Sequence, residues 1–538
     1  MLKKKNYFLL PFIFATVLAI GILIGGKLNF NDTPEKLFTT NTNSKKDKLN
    51  RLIDYIDYEY VDDVNTDSIV DVTVNNILDK LDPHSVYIPK QEIQRETENM
   101  KGDFVGIGIS FYMYKDTIAV IKTIEGGPSV EAGIEPGDRI LTADGDELFG
   151  KEMESEEIVK KLRGKAGSPV MLGIYKKKTG EKVKVRVKRA SVPIKSVDAF
   201  YMLTDDLGYI KVNRFAESTY REFKYALTVL KKSGATQIAL DLRDNPGGYL
   251  GIAEQMADEF LEDDKLILFT KNKKGTIEKS FATRKGDFEK GQVYVMINER
   301  SASASEIVAG ALQDNDKGII VGRRSFGKGL VQREMPLPDG SAVRLTISRY
   351  YTPTGRSIQR SYKNGVEDYY KDYYKRYGNG ELKSADSIKV ADSLKFTTPK
   401  GKIVYGGGGI IPDMFVPLEK TREQQQVKSL VLESGFLSYF IFEYLDKNRN
   451  RFFAYDQSQF INEVIIEDEL VEDFVRYATE RGFTLNFKKY TSALKKYIKA
   501  IIAEQLYGTN AYQKILDDDD KMIIKVIELS NEDDSDQQ

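Results

Sequence analysis

Val293-Tyr294-Val295-Met296-Ile297 is an unbroken apolar run, and three residues past its end begins Ser301-Ala302-Ser303-Ala304-Ser305-Glu306. The run reads as a buried strand, and the spacing predicts a helix from about Ala304. Ser303 therefore falls in a strand-to-helix turn. Such a turn aims the serine side chain and the following backbone N–H groups into the same space. A helix N-terminus favours negative charge there, such as a developing oxyanion. Ser303 and Glu306 also have the spacing of a capping box, a purely structural reason for the same pattern. Ser301 and Ser305 are equally available to chemistry, and spacing does not choose among the three serines.

Outward from this turn, strands alternate with helices from Pro193 to about Pro417. Segments 208–212, 237–242 and 318–321 read as strands, and 219–232, 250–261 and 305–313 as helices, which is an α/β pattern. Segment 362–394 is polar and tyrosine-rich (Tyr369, Tyr370, Tyr373, Tyr374) and predicts a surface insertion. Upstream, 104–187 changes to short β-like runs broken by glycines, at 118–121, 139–142, 170–175 and 183–187, with one helix at 155–162. It reads as a compact β-rich module. Apolar residues at helical spacing between 49 and 81 predict two helices joined near Val61-Asp62-Asp63. Pro83 ends the second. From Glu419 onward the chain reads as helical. Its acidic runs at 517–520 and 532–536 are expected to be solvated helix ends and tail.

Composition narrows the chemistry. The 538 residues hold 80 Lys+Arg against 81 Asp+Glu, so there is no electrostatic case for a nucleic-acid partner. There is no cysteine and one histidine, His84, which excludes disulfides, a Cys-His pair and a zinc site of several His or Cys ligands. A Ser-His-Asp triad would have to use His84. For covalent hydrolysis, Ser-Lys chemistry is the main route left open.

Phe326-Gly327-Lys328-Gly329 offers the lysine. On an extended strand Lys328, Leu330 and Gln332 would share one face, and Gln332 could orient the amine. A free lysine titrates near ~10.4 and is a poor base at neutral pH. Burial and neighbouring cations lower that value and free the neutral amine. Gly322 to Gly329 is one residue short of a phosphate-binding loop. Gly329 stands where that motif needs Ser or Thr, and a strand rather than a helix is predicted next, which argues against nucleotide binding. The other glycine turn, Asp241-Leu242-Arg243-Asp244-Asn245-Pro246-Gly247-Gly248, follows an apolar strand. The N–H of Gly247 or Gly248, with that of Ala304, would make a two-donor oxyanion hole.

Lys3-Lys4-Lys5 precedes an uncharged, mostly apolar run at 7–26, long enough as a helix to span about 30 Å. The lysines predict an uncleaved anchor in residues 1–28 with the body on the far side of the membrane, and a cleaved signal peptide is the rival reading. Residues 29–48 read as a linker.

Several ordered motifs together resemble the carboxy-terminal processing, or tail-specific, serine proteases. They are Leu81-Asp82-Pro83-His84-Ser85, Gly133-Ile134-Glu135-Pro136-Gly137-Asp138-Arg139-Ile140, the Asp241 to Gly248 turn, Ser301 to Glu306, Phe326 to Gly329, Tyr351-Thr352-Pro353-Thr354-Gly355 and Gly409-Ile410-Ile411-Pro412-Asp413. The resemblance covers about 49–417. It implies a multidomain α/β protein in which a helical part at 49–92 and residues 191–417 form a crotonase-like Ser-Lys protease core. A PDZ domain at about 93–190 is inserted between them. It implies Ser303 as nucleophile, Lys328 as general base, Gln332 as the residue that positions it, and a structural His84. It implies no cofactor and no metal. Val105, Gly106, Ile107 and Gly108 sit where PDZ domains hold a peptide carboxylate, so protein substrates with apolar C-termini are expected. The rival reading makes those glycines a plain turn and the module a lid or spacer. The expected setting is a bacterial envelope, anchored in the inner membrane and facing the periplasm, with an adaptor or a homo-oligomer as further partners. The alternative function is a PDZ scaffold, or a gated protease inactive without a partner. The helical extension at 418–538 departs from the family pattern.

Overall fold

A computed structural model of the chain describes residues 15–16, 44–150, 153–419, 421–483 and 487–535. The expected anchor therefore lies outside the described residues apart from Ala15 and Thr16, and the linker lies outside them up to residue 43. Among the described residues no helix is long and apolar enough to cross a membrane. Residues 1–74 form a unit by themselves, in which a helix runs Ser44–Glu59 and a second begins at Thr66. The first helix starts inside the segment read as linker.

From Asn75 onward the chain is a second unit. Its centre is a six-stranded sheet of β1 (Val197–Met202), β2 (Leu207–Val212), β3 (Gln237–Asp241), β4 (Gln292–Ile297), β5 (Gly318–Gly322) and β6 (Met414–Phe415), in that spatial order. The β1–β2 pair is antiparallel and the rest are parallel. The parallel pairs need crossovers, and the helices α1 (Thr219–Lys232), α2 (Leu250–Asp258) and α3 (Ala304–Asp314) supply them. The period of two along each strand divides the apolar residues between two faces. Val293, Val295 and Ile297 of β4 join α1, α2 and α3 in the main core. Tyr294 and Met296 face the other way.

That other face is covered by the C-terminal extension. Met522, Ile523, Val526 and Leu529 of α5 (Lys521–Ser535) pack on Leu207, Tyr209, Ala239, Tyr294, Met296 and Val321. The extension also has its own aromatic-rich core and reaches the β-rich module. There Phe442, on α4 (Phe436–Asn448), packs with Tyr114, Ala119 and Ile121, and Arg139 pairs with Asp446 at 2.8 Å. The acidic run at 517–520 is not a solvated helix end throughout. Asp517 is buried and accepts from Tyr201 Oη, while Asp520 pairs with Arg243 at 2.8 Å. Asp518 and Asp519 do face solvent.

A second, five-stranded sheet was read in the sequence only at the strand after Lys328. It joins Val86–Ile88, Ala342–Tyr351, Leu266–Asn272 and Ile277–Phe281, with Leu330–Pro336 paired to Ala342–Tyr351. This sheet carries the segment after Lys328. The β-rich module is a separate sheet built on Ile109–Tyr114, Thr117–Thr123, Arg139–Ala143, Pro169–Tyr175 and Lys182–Lys188.

Candidate active site

Helix α3 begins where the strand-turn-helix reading places it. Its Ala- and Gly-rich sequence lets it sit close to the sheet, and all of its residues are buried. Ser303 is its N-cap and holds φ +55°, a conformation uncommon outside glycine. Such strain clusters at functional sites. The capping box forms, with Ser303 N–H donating to Glu306 Oε2 at 2.9 Å.

The structure separates the three serines. Ser301 Oγ donates to Leu242 O at 2.7 Å, and Ser305 Oγ donates to Asn245 O at 3.0 Å. Both are fully buried latches onto the Asp241 to Gly248 turn. Ser303 is the partly exposed one. The glycine turn lies against it: a Cβ at Gly247 would stand 2.8 Å from Ser303 Cβ, and Gly247 holds φ +101°, so both space and backbone demand glycine. Gly247 N–H is taken by Asn245 Oδ1 at 2.8 Å. Gly248 N–H and Ala304 N–H have no backbone acceptor among the described residues, so Gly248 is the better placed of the two glycines.

Glu306 has a role beyond the cap. Its buried carboxylate also accepts from Gly327 N–H at 2.6 Å, from Lys328 N–H at 2.8 Å and from Ser325 Oγ. One side chain thus ties the Ser303 turn to the backbone of Lys328. Burial pushes its pKa up, and the four donors oppose that shift.

Lys328 lies just before the strand Leu330–Pro336, not on it, and a register shift falls between Val331 and Gln332. Of the expected common face of Lys328, Leu330 and Gln332, the strand therefore carries only Leu330 and Gln332; the residue skipped in the register shift is Ile347, on the partner strand. Lys328 is lowered to about 8, first by burial and then by the Arg344 cation; Glu306 and Asp82 oppose the shift. Among the described residues no hydrogen bond joins Ser303 Oγ to Lys328 Nζ. Gln332 Nε2 donates to His84 O at 2.7 Å.

His84 is half-buried beside Tyr369. Its Nε2 meets Tyr369 Oη at 2.8 Å, and burial, with the Lys328 charge, lowers its pKa to about 3. Asp82 fixes the turn before it, accepting from the N–H of His84 and Ser85 at 2.9 and 3.0 Å and from Thr346 Oγ1 at 3.1 Å.

The tyrosine-rich insertion is not wholly at the surface. Tyr370 and Tyr374 are exposed, but Tyr369 and Arg376 are buried. The Arg360 guanidinium lies 3.9 Å from the ring centres of both Phe326 and Tyr369. Arg376 Nη1 donates to Ser325 O at 2.7 Å. The insertion therefore backs the chain that delivers Lys328. Sequence reasoning missed this, because a tyrosine in a polar run carries no local sign of which neighbour buries it.

In the β-rich module Val105 and Gly106 belong to the strand Asp103–Gly106, paired with Ala190–Pro193. Only Ile107 and Gly108 form the loop, and their N–H groups have no backbone acceptor among the described residues. Gly108 holds φ +76° and stacks on Gly127, where a Cβ would meet Gly127 Cα at 3.0 Å. Among the described residues no group of three or more His, Cys, Asp or Glu is placed to hold a metal.

Glu306→Gln is expected to cost about 3 kcal/mol of stability, because an amide cannot accept at both ends from four donors. A urea midpoint unchanged from wild type would contradict the role given to the carboxylate.

Residues 206–371 match peptidase family S41, residues 105–191 match the PDZ domain, and residues 429–508 match a family of unknown function, DUF8443. The carboxy-terminal processing protease CtpB of Bacillus subtilis is 33% identical over 348 residues, which is 64% of this chain and 71% of that protein. A carboxy-terminal-processing protease of Bartonella bacilliformis is 34% identical over 324 residues, 59% of this chain and 74% of that one. A solved structure, the photosystem II D1 C-terminal processing protease, aligns at TM-score 0.36 and 24% identity over 69% of this chain and 86% of its own. The S41 match, the PDZ match and the two curated relatives agree. The chain belongs to the carboxy-terminal processing proteases of peptidase family S41, a multidomain α/β serine-type peptidase with a PDZ domain.

Proposed function

We propose that the chain cleaves protein substrates through a Ser303–Lys328 dyad and an acyl-enzyme. The observation that carries the reading is the Glu306 carboxylate, which binds the backbone N–H groups of both residues and so sets the serine turn and the lysine segment against each other. Neutral Lys328 takes the proton from Ser303 Oγ as that oxygen attacks the peptide carbonyl. The carbonyl oxygen becomes an oxyanion held by the N–H groups of Ala304 and Gly248. Its collapse expels the amine, which receives the proton from Lys328. Water, deprotonated by the same lysine, then hydrolyses the ester and releases Ser303.

Substrate C-terminal tails are read by the PDZ domain. The N–H groups of Ile107 and Gly108, which have no backbone acceptor among the described residues, support a carboxylate site there, and the strand Ile109–Tyr114 supports strand addition. An apolar last residue fits the buried apolar surroundings of Ile107. The run at 7–26 behind Lys3-Lys4-Lys5 supports an anchor, with the body in the periplasm of a bacterial envelope.

A second reading, a protease gated until substrate or partner rearranges the site, is supported by the Gln332 amide. That amide donates to His84 O, and in the active arrangement it would turn to Lys328.

The decisive assay incubates the chain with an unfolded substrate ending in an apolar tail. Cleavage is expected in wild type, lost in Ser303→Ala and Lys328→Ala, and weakened when the tail is amidated. Full activity in either variant would refute the dyad, and indifference to amidation would refute tail reading. The rate should also rise with pH through about 8, because the base is the deprotonated form of a lysine titrating there. A rate that falls across that range would contradict the assignment.

A further inference from the structure

Asp520 precedes α5 and lies far along the chain from the reacting groups, yet its two oxygens do different things. Oδ1 accepts from Met522 N–H at 2.9 Å and Ile523 N–H at 3.2 Å, which caps α5. Oδ2 accepts from Arg243 Nη1 at 2.8 Å. The other donors of Arg243 go to Asp241: N–H and Nε to Oδ1, each at 2.9 Å, and Nη2 to Oδ2 at 2.7 Å. Tyr209 Oη adds a further bond to Asp241 Oδ2 at 2.7 Å. The Arg243 side chain is 11% exposed and that of Asp241 fully buried. A nearly buried cation is thus clasped between two carboxylates, one at the end of β3 and one just before α5.

The clasp sits at the root of the glycine turn. Just beyond Arg243, Asn245 Oδ1 accepts from Gly247 N–H at 2.8 Å, and Asn245 O accepts from Ala302 N–H at 3.0 Å. Leu242 O, on the other side of Arg243, receives Ser301 Oγ at 2.7 Å. Any drift of Arg243 therefore displaces the turn and the serine loop together.

We propose that Asp520 is a positioning residue for hydrolysis: through Arg243 it fixes the 242–248 turn, and with it the Gly248 N–H, against Ser303. The proposal rests on the reading of Ser303 as nucleophile and Gly248 as oxyanion donor. It makes the C-terminal helices part of the catalytic unit. Without the Asp520 charge, Arg243 keeps Asp241 but its Nη1 loses its charged acceptor, so the guanidinium is held from one side only and the turn it carries is less firmly placed. Small misplacements at a reacting centre cost large factors in rate. Asp520 does not touch substrate, so the loss belongs in kcat and not in KM.

The test uses the full chain and Asp520→Asn, since asparagine still caps a helix but cannot neutralise Arg243. The kcat is expected to fall about 10- to 100-fold with KM within about twofold and Tm near wild type. Leu529→Ala, two turns further along, which loosens α5 on the sheet without touching Asp520 or its cap, is expected to lower Tm and leave kcat unchanged well below the transition. If Asp520→Asn does not accumulate folded, Arg243→Lys keeps the charge without the planar fork and is expected to show the same loss of kcat. Wild-type kcat in Asp520→Asn, or an equal kcat loss in Leu529→Ala, would overturn the proposal. Cleavage surviving in Ser303→Ala would instead overturn the dyad, so the two failures are told apart in one assay.

Discussion

The Glu306 carboxylate is the constraint on which the site depends. It is completely buried, and its partners all donate: Ser303 N–H, Gly327 N–H, Lys328 N–H and Ser325 Oγ. Burying a carboxylate without partners is very costly, so the group is tolerable only while those bonds hold. The same requirement fixes the distance between two stretches of chain that share no strand. The Ser303 turn follows a strand of the six-stranded, mostly parallel sheet, and the Lys328 segment leads into the five-stranded antiparallel one.

The lysine is tuned by opposing effects of that arrangement. Burial and Arg344 favour the neutral amine, and Glu306 and Asp82 favour the charged one, with the balance at about 8. A lysine left at its ordinary value would be almost wholly protonated at neutral pH, and one pushed much lower would be a weaker base. His84, although close to Lys328, is held neutral by burial and bonded to Tyr369, so it adds no competing positive charge. The insertion and the C-terminal helices reach this region in different ways: Arg376 donates to the backbone carbonyl of Ser325, and Asp520 accepts from the Arg243 side chain.

What the sequence disclosed was local. The apolar run at 293–297 and the Ser303–Glu306 spacing were enough to read strand, turn and cap, because each is written within a few residues. The closeness of Lys328 to Ser303 was not legible from spacing and came from resemblance to a family. The strand Ala342–Tyr351 went unread because Arg344 and Arg349 interrupt its apolar pattern, and its partner Leu266–Asn272 is distant in sequence. The acidic run at 517–520 misled for a related reason. Four aspartates in a row read as solvated, and the partners that engage Asp517 and Asp520, Tyr201 and Arg243, lie 316 and 277 residues away. One local sign was present: an aspartate followed by Met522, Ile523 and Val526 at helical spacing is an N-cap before an apolar face.

The claim at the centre of this account is that one serine of three is the nucleophile and that one lysine activates it. Trapping the acyl-enzyme with a slowly deacylating peptide ester, and mapping the adduct by mass spectrometry, tests both at once. The account predicts an adduct on Ser303 alone, formed by wild type and absent from Lys328→Ala. An adduct on Ser301 or Ser305, or one that forms as fast without Lys328, would contradict it.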